Sequence, residues 1–171
     1  MKLIVFSDTH GDQTAYKEMR QHENDFDQVY CLGDSGFSKN FLETEHITSV
    51  RGNYPFSPKN PYDVSEKIGG SWLFFTHGHL YNVKYGLSKL IRKARKLNVD
   101  ICGFGHTHRL YLEKKDDIIL FNPGALSKTR SHHFPSYARL TITKNQRLIE
   151  IINLLDFKPV KIYQEDMDKH D

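Results

Sequence analysis

The sequence predicts an α/β fold in which two packed, mixed β-sheets are flanked by helices. Three observations lead there. Apolar runs of strand length, rich in β-branched residues, recur along the chain. In the first half a helical stretch separates the first two runs, which argues for a right-handed crossover and parallel pairing. In the second half they follow one another across short polar turns, the pattern of hairpins.

The first run, Lys2-Leu3-Ile4-Val5-Phe6, is apolar at four consecutive positions and reads as an interior strand buried on both faces. It stops at Ser7-Asp8-Thr9-His10-Gly11-Asp12. Asp12 suits the N-cap of a helix over 14–20, with Tyr16 and Met19 facing inward. Strands follow at 27–32, ending in Gly33-Asp34, and at 46–50, ending in Arg51-Gly52-Asn53. Residues 54–61 hold three of the six prolines and must be a loop. Residues 63–68 and 71–75 form a hairpin around Gly69-Gly70, and the second strand runs into Thr76-His77-Gly78-His79.

Leu87, Leu90, Ile91, Ala94 and Leu97 have helical spacing and predict an amphipathic helix over 83–98. Its basic face (Lys84, Lys89, Arg92, Lys93, Arg95, Lys96) has no interleaved aromatics and reads as solvated surface, not a nucleic-acid stripe. A strand at 100–104 leads into Gly105-His106-Thr107-His108. Strands at 111–113 and 118–121 flank a charged turn, and the latter ends in Asn122-Pro123-Gly124. Residues 137–143 alternate, with Ala138, Leu140 and Ile142 on one face, and strands at 147–152 and 160–163 complete the set.

With 171 residues the chain is expected to be one domain, 1–171, with a peripheral tail after about residue 156 that frays at its acidic end. A formal charge of +3 demands neither nucleic acid nor an anionic membrane as partner. No apolar run approaches membrane-span length, and the N-terminus is patterned as a strand, not a signal peptide. Cys31 and Cys102 sit singly in apolar runs, which fits buried thiols and a cytoplasmic location. The sequence leaves the oligomeric state open.

Asp8, His10, Asp34, Asn53, His77, His106 and His108 all fall at strand ends, where the loops of a parallel sheet converge. One such residue is an ordinary loop residue. Seven gathered there make a costly cluster without a cation and a good pair of metal sites with one carboxylate shared. Imidazole-rich N/O ligands favour manganese, iron, zinc, cobalt or nickel over magnesium; the residues select none of these, and manganese is the expectation.

The ordered motifs Asp-x-His, Gly-Asp, Gly-Asn, His-Gly-His and Gly-His-Thr-His resemble the calcineurin-like metallophosphoesterase superfamily, most of all its small single-domain phosphodiesterases. The likeness runs from Asp8 to Asn122-Pro123-Gly124. It implies an α/β/β/α sandwich with two divalent ions, one held by Asp8, His10, Asp34 and His108. Asp34 (bridging), Asn53, His77 and His106 would hold the other. The implied activity is hydrolysis of a small phosphoester, above all a diester, by a hydroxide activated between the ions. A phosphomonoesterase is the alternative within enzymes. A metal-containing protein-binding scaffold is the alternative outside them, since a retromer subunit shares the fold.

One departure matters. The larger phosphatases of the superfamily have a His after the Gly-Asn motif that assists the leaving group, and many small members have Asp two positions after the Asn; here Tyr54 and Pro55 stand there. His79 is the catalytic candidate in their stead, either as proton donor or as a residue orienting a ligand, and Asn53 is counted as catalytic as well as a ligand. The basic loop with Lys128, Arg130, His132 and His133 either covers a phosphate or is merely exposed.

Overall fold

A computed structural model describes residues 1–55 and 59–167. Among the described residues eleven strands form two mixed sheets, as the sequence predicts. The first has six strands in the order β11-β10-β9-β1-β2-β3. These are β1 (Lys2–Phe6), β2 (Gln28–Cys31), β3 (Ile47–Ser49), β9 (Ser136–Ile142), β10 (Gln146–Asn153) and β11 (Pro159–Asp166). The second has five strands in the order β4-β5-β6-β8-β7. They are β4 (Asp63–Ile68), β5 (Ser71–Thr76), β6 (Ile101–Phe104), β7 (Leu110–Lys115) and β8 (Ile118–Pro123). β1, β2 and β3 run parallel, as do β5, β6 and β8.

The continuous apolar run of β1 is explained by its two neighbours. Leu3 and Val5 face the second sheet, meeting Leu73, Phe75, Ile101 and Phe121. Ile4 and Phe6 face α1 (Gln13–His22), meeting Ala15, Tyr16 and Met19. With both faces covered, alternation is neither needed nor present. Ala138, Leu140 and Ile142 also join the core between the sheets. On the far side, Phe74, Cys102 and Leu120 pack against Leu90 and Ala94 of α3 (Ser88–Lys96). The layers are therefore helix, sheet, sheet, helix. Both cysteines are buried and free.

Three elements differ from expectation. The helix expected over 83–98 begins only at Ser88, because a 3-10 turn at His79–Tyr81 is followed by Asn82 and Gly86 at φ 55° and 144°. Val83 keeps its apolar role by packing beside Phe104, not by joining the helix. The short α2 (Lys39–Thr44) went unpredicted; it is capped by Ser38, whose Oγ accepts from Phe41 N, and it buries only Leu42. The strand expected at 160–163 extends to become β11, the sheet's edge. Part of the proline loop (56–58) and the acidic end (168–171), where fraying is expected, lie outside the described residues.

A polar latch joins the sheets at one edge. From β10, the Arg147 guanidinium donates to Ser71 Oγ at 2.8 Å, Glu165 Oε1 at 2.8 Å and Asp100 Oδ1 at 2.6 Å. Lys114 on β7 donates to Glu165 Oε2 at 2.7 Å. Burial pushes the Glu165 carboxyl up, but Lys114, Arg147 and Tyr163 outweigh it and hold it below its ordinary 4.5. Its contribution to stability is therefore complete above the unfolded value and lost as pH falls through the lower native one. Arg147→Ala is expected to cost about 2 kcal/mol near neutral pH. Urea unfolding of both proteins should show the difference shrinking as the pH is lowered below the ordinary carboxylate value.

Candidate metal centre

Every nominated residue lies just beyond the C-terminal end of a strand, and both sheets contribute. β1, β2 and β3 carry Asp8 with His10, Asp34, and Asn53; β5 and β6 carry His77, and His106 with His108. Asp8, His10, Asp34, His106 and His108 all have positive φ, between 49° and 68°. A left-handed corner at the end of a strand turns the chain sharply while leaving the side chain over the sheet's end, at a cost of about 1–2 kcal/mol per residue.

Two groups of ligand-type atoms converge. Asp8, His10 and His108 form one; Asp8, Asp34 and His77 form the other. Asp8 is fully buried. Its Oδ2 accepts from Ser7 Oγ at 2.6 Å and from the His106 amide at 3.0 Å. Its Oδ1 has no hydrogen bond among the described residues, and lies 3.2 Å from His108 Nε2, 3.9 Å from His10 Nε2 and 4.0 Å from His77 Nε2. Asn53 is exposed, with its Oδ1 3.1 Å from His77 Nε2. His106 is brought in through its ring, 5.0 Å centroid to centroid from His77. His79 lies further out, 5.3 Å from His77 and 6.1 Å from His106 by the same measure.

These contacts test whether a cation fits. His77 Nδ1 lies 2.7 Å from the Leu32 carbonyl, which can only accept, so Nδ1 carries the hydrogen. In the neutral ring Nε2 is then a lone pair, yet it faces Asp34 Oδ2 at 3.3 Å, Asn53 Oδ1 and Asp8 Oδ1. His108 repeats the logic: Nδ1 donates to the Arg130 carbonyl at 2.9 Å, and Nε2 points to Asp8 and to His10 Nε2, 3.4 Å away. Acceptors aimed at acceptors need a cation between them, and the orienting carbonyls are the usual partners of metal-binding imidazoles. The donor set therefore fits divalent ions.

Without ions, protons serve instead. Burial pushes His77 down, but Asp34 and Asp8 overcome it and raise its pKa; for His108 the Asp8 carboxylate beside it is the main cause of a rise. Burial pushes the Asp34 carboxyl up, but His77 and the Tyr54 amide bring it down to about 2. The same balance, led against burial by His108, holds Asp8 below the usual range. His10, His79 and His106 are all pushed down, chiefly by burial, His106 to about 4.

Sequence reasoning missed the supports. Ser7 ties one Asp8 oxygen, and Asn122 Nδ2 donates to the Gly105 carbonyl at 2.8 Å and Thr107 Oγ1 at 3.1 Å. A polar Asn inside an otherwise apolar strand end was the available signal. Gly52 and Gly105 are needed for close approach: a Cβ would lie 1.9 Å from Asp34 Oδ1 in one case and 2.0 Å from Ser7 Oγ in the other.

Fold and site together define a two-sheet sandwich with a candidate centre for divalent cations at the mouth between its sheets. Residues 1–145 match the calcineurin-like phosphoesterase superfamily domain, and the chain belongs to that superfamily. A probable metallophosphoesterase of Mycoplasma genitalium is 30% identical over 85% of this chain and 90% of its own. The phosphodiesterase YfcE of Escherichia coli is 27% identical over 82% and 87%. A predicted phosphoesterase from Streptococcus pneumoniae superposes with a TM-score of 0.84 at 28% identity, covering 97% of each chain. Vps29 of Entamoeba histolytica, solved in complex with zinc, superposes with a TM-score of 0.77 over 98% of this chain and all (100%) of that one; at 22% identity it is a likeness of fold. Among the described residues no helix is long and apolar enough to cross a membrane.

If the site takes ions that the unfolded chain does not, saturating divalent metal at ~100-fold over its dissociation constant should add about 2.7 kcal/mol of stability. Thermal melts with and without chelator measure this. Gly52→Ala, which drives a methyl into Asp34, is expected to abolish most of the metal-dependent rise.

Proposed function

We propose that the chain is a metal-dependent phosphodiesterase acting on a small phosphoester in the cytoplasm, with manganese as the first-choice metal. The observation that carries the reading is the His77 Nε2 atom, which faces three oxygens and is held there by the Leu32 carbonyl. Asp8, His10, Asp34 and His108 would hold one ion, and Asp34, Asn53, His77 and His106 the other. When bound, such ions polarise a phosphoryl group and make water a stronger nucleophile at neutral pH. The chain's own residues then fix orientation: carbonyls of Leu32 and Arg130 set the tautomers of His77 and His108, and Ser7 with the His106 amide sets the rotation of Asp8.

The preference for diesters is supported by the likeness to YfcE. A monoesterase would use the same ligands, and a scaffold of the Vps29 kind would keep the fold without turnover. Retention of all seven ligand-type residues favours an enzyme. Purified protein assayed with mono- and diesters of 4-nitrophenol and several divalent metals tests the proposal. The expected outcome is diester hydrolysis, abolished by chelator and restored by manganese; no turnover with any metal would overturn it.

Sharing of Asp34 makes a separate claim. Asp34→Ala should lower bound metal at both positions, whereas Asn53→Ala should spare one ion per chain. Elemental analysis of the purified variants checks this, and two ions per chain in the Asp34 variant would contradict it.

The departing oxygen gains negative charge, and an alkoxide leaves poorly unless protonated. Tyr54 directs its amide to Asp34 Oδ1 at 2.7 Å and its ring edge-on to His10, so its backbone is committed to holding the carboxylate. That leaves His79 as the proposed donor, with an Nδ1 that is buried and without a hydrogen bond among the described residues. Burial lowers its pKa, which makes it a weak reserve of protons at neutral pH. Aryl diesters should therefore be cleaved much faster than alkyl ones. His79→Ala should slow poor leaving groups by about 10²-fold and good ones little, as a series of substituted phenyl esters would show.

A further inference from the structure

Two adjoining cavities, of about 560 and 520 Å³, open beside the candidate centre and share His108, Arg109 and His132. The inner one is bounded by His106, Thr107 and Lys84; the outer one adds Leu110, Phe134, His133 and Lys161. Neither is lined by a carboxylate, in a chain with 21 of them. Lys84, Arg109 and Lys161 come from three separate segments, all are exposed, and none has a carboxylate at ion-pair distance among the described residues. Lys114, further along β7, shows the contrast by closing onto Glu165.

The floor of this groove is fixed. The Arg109 amide donates to Thr107 Oγ1 at 3.3 Å, and Asn122 Nδ2 holds the same oxygen. The Arg109 side chain donates through Nε to His132 Nε2 at 3.3 Å, which ties the basic loop down as the groove's far wall. Leu110 and Phe134 give the outer cavity an apolar rest. A run of cations leading from the centre to an apolar rest suits a molecule with two negative groups joined by a flat organic part.

Resting on the phosphodiesterase reading above, we infer that the preferred substrate is a small diester one of whose arms carries a second phosphate, seated along Lys84, Arg109 and Lys161. The basic loop thus has a use: His132 and His133 wall the second-phosphate site.

The test compares the 4-nitrophenyl ester of thymidine 5′-phosphate with the same ester bearing a 3′-phosphate, which keeps the chromophore and changes only the distal charge. The 3′-phosphorylated ester should have a kcat/KM about tenfold higher, a preference that weakens with added salt. The triple variant Lys84→Ala, Arg109→Ala, Lys161→Ala should bring the ratio close to one, and Lys161→Ala alone should lower it in a protein with unchanged melting behaviour. Equal rates on the two esters, or a preference that survives the triple variant, would overturn the inference while leaving phosphodiesterase activity intact. Absence of turnover on both would instead sink the phosphodiesterase reading. Calorimetry in metal-free buffer then decides the groove: thymidine 3′,5′-bisphosphate should bind about tenfold more tightly than thymidine 5′-phosphate, and only to the wild type. Equal binding overturns the inference. A short single-stranded DNA that bound more tightly than the bisphosphate would overturn the assignment to a small molecule.

Discussion

The molecule turns on one requirement: the lone pair of His77 and the bare oxygen of Asp8 must meet positive charge. Both residues are buried, and each is held by a hydrogen bond on its other side. A buried acceptor without a donor costs roughly as much as a lost hydrogen bond, and a buried carboxylate more. The protein therefore carries a local deficit that a proton can meet in part and a divalent ion can meet in full. The rest of the strand-end architecture follows from keeping that deficit from relaxing.

The left-handed corners are the means. An extended residue after β1 or β6 would carry its side chain past the sheet and into solvent. A corner at Asp8, Asp34 or His106 halts the chain and aims the group back across the gap. None of these residues is glycine, so each corner is strained, and the strain is sustained by the packed sheets below. Glycine is used where bulk would collide with a ligand, at Gly52 and Gly105. The centre is thus rigid because its supports are strands buried on both faces, not because its loops are short.

Much of this was legible in the sequence. The unbroken apolar run of residues 3–6 announced a strand covered on both sides, and Gly69-Gly70 announced its hairpin. The nominated ligands were visible because the same event, an apolar strand closing on Asp, Asn or His, repeats. What stayed hidden left no residue-type mark. The carbonyls of Leu32 and Arg130 that orient two imidazoles belong to the backbone, which any residue supplies. The helix over 83–98 was drawn too long because Val83 and Leu87 continue its periodicity while serving a turn. α2 is shorter than two turns and buries one residue, too little for periodicity to register. The groove was hidden for a different reason: Lys84, Arg109 and Lys161 are distant in sequence and meet only through the fold.

The strand order has a consequence for how the chain is made. β1 occupies the middle of the first sheet, between β2 and β9, yet β9 begins at Ser136. All five strands of the second sheet lie in between, in one continuous stretch from Asp63 to Pro123. During synthesis the second sheet can pair completely while β1 still presents an open edge of Ile4 and Val5, the backbone that later binds Arg139 and Ala138. Pairings this far apart in sequence form late, because the closure entropy of the intervening chain must be met first. Each newly made copy therefore passes through an interval in which its apolar first strand is half-partnered, and nascent chains are most exposed to mispairing with one another then.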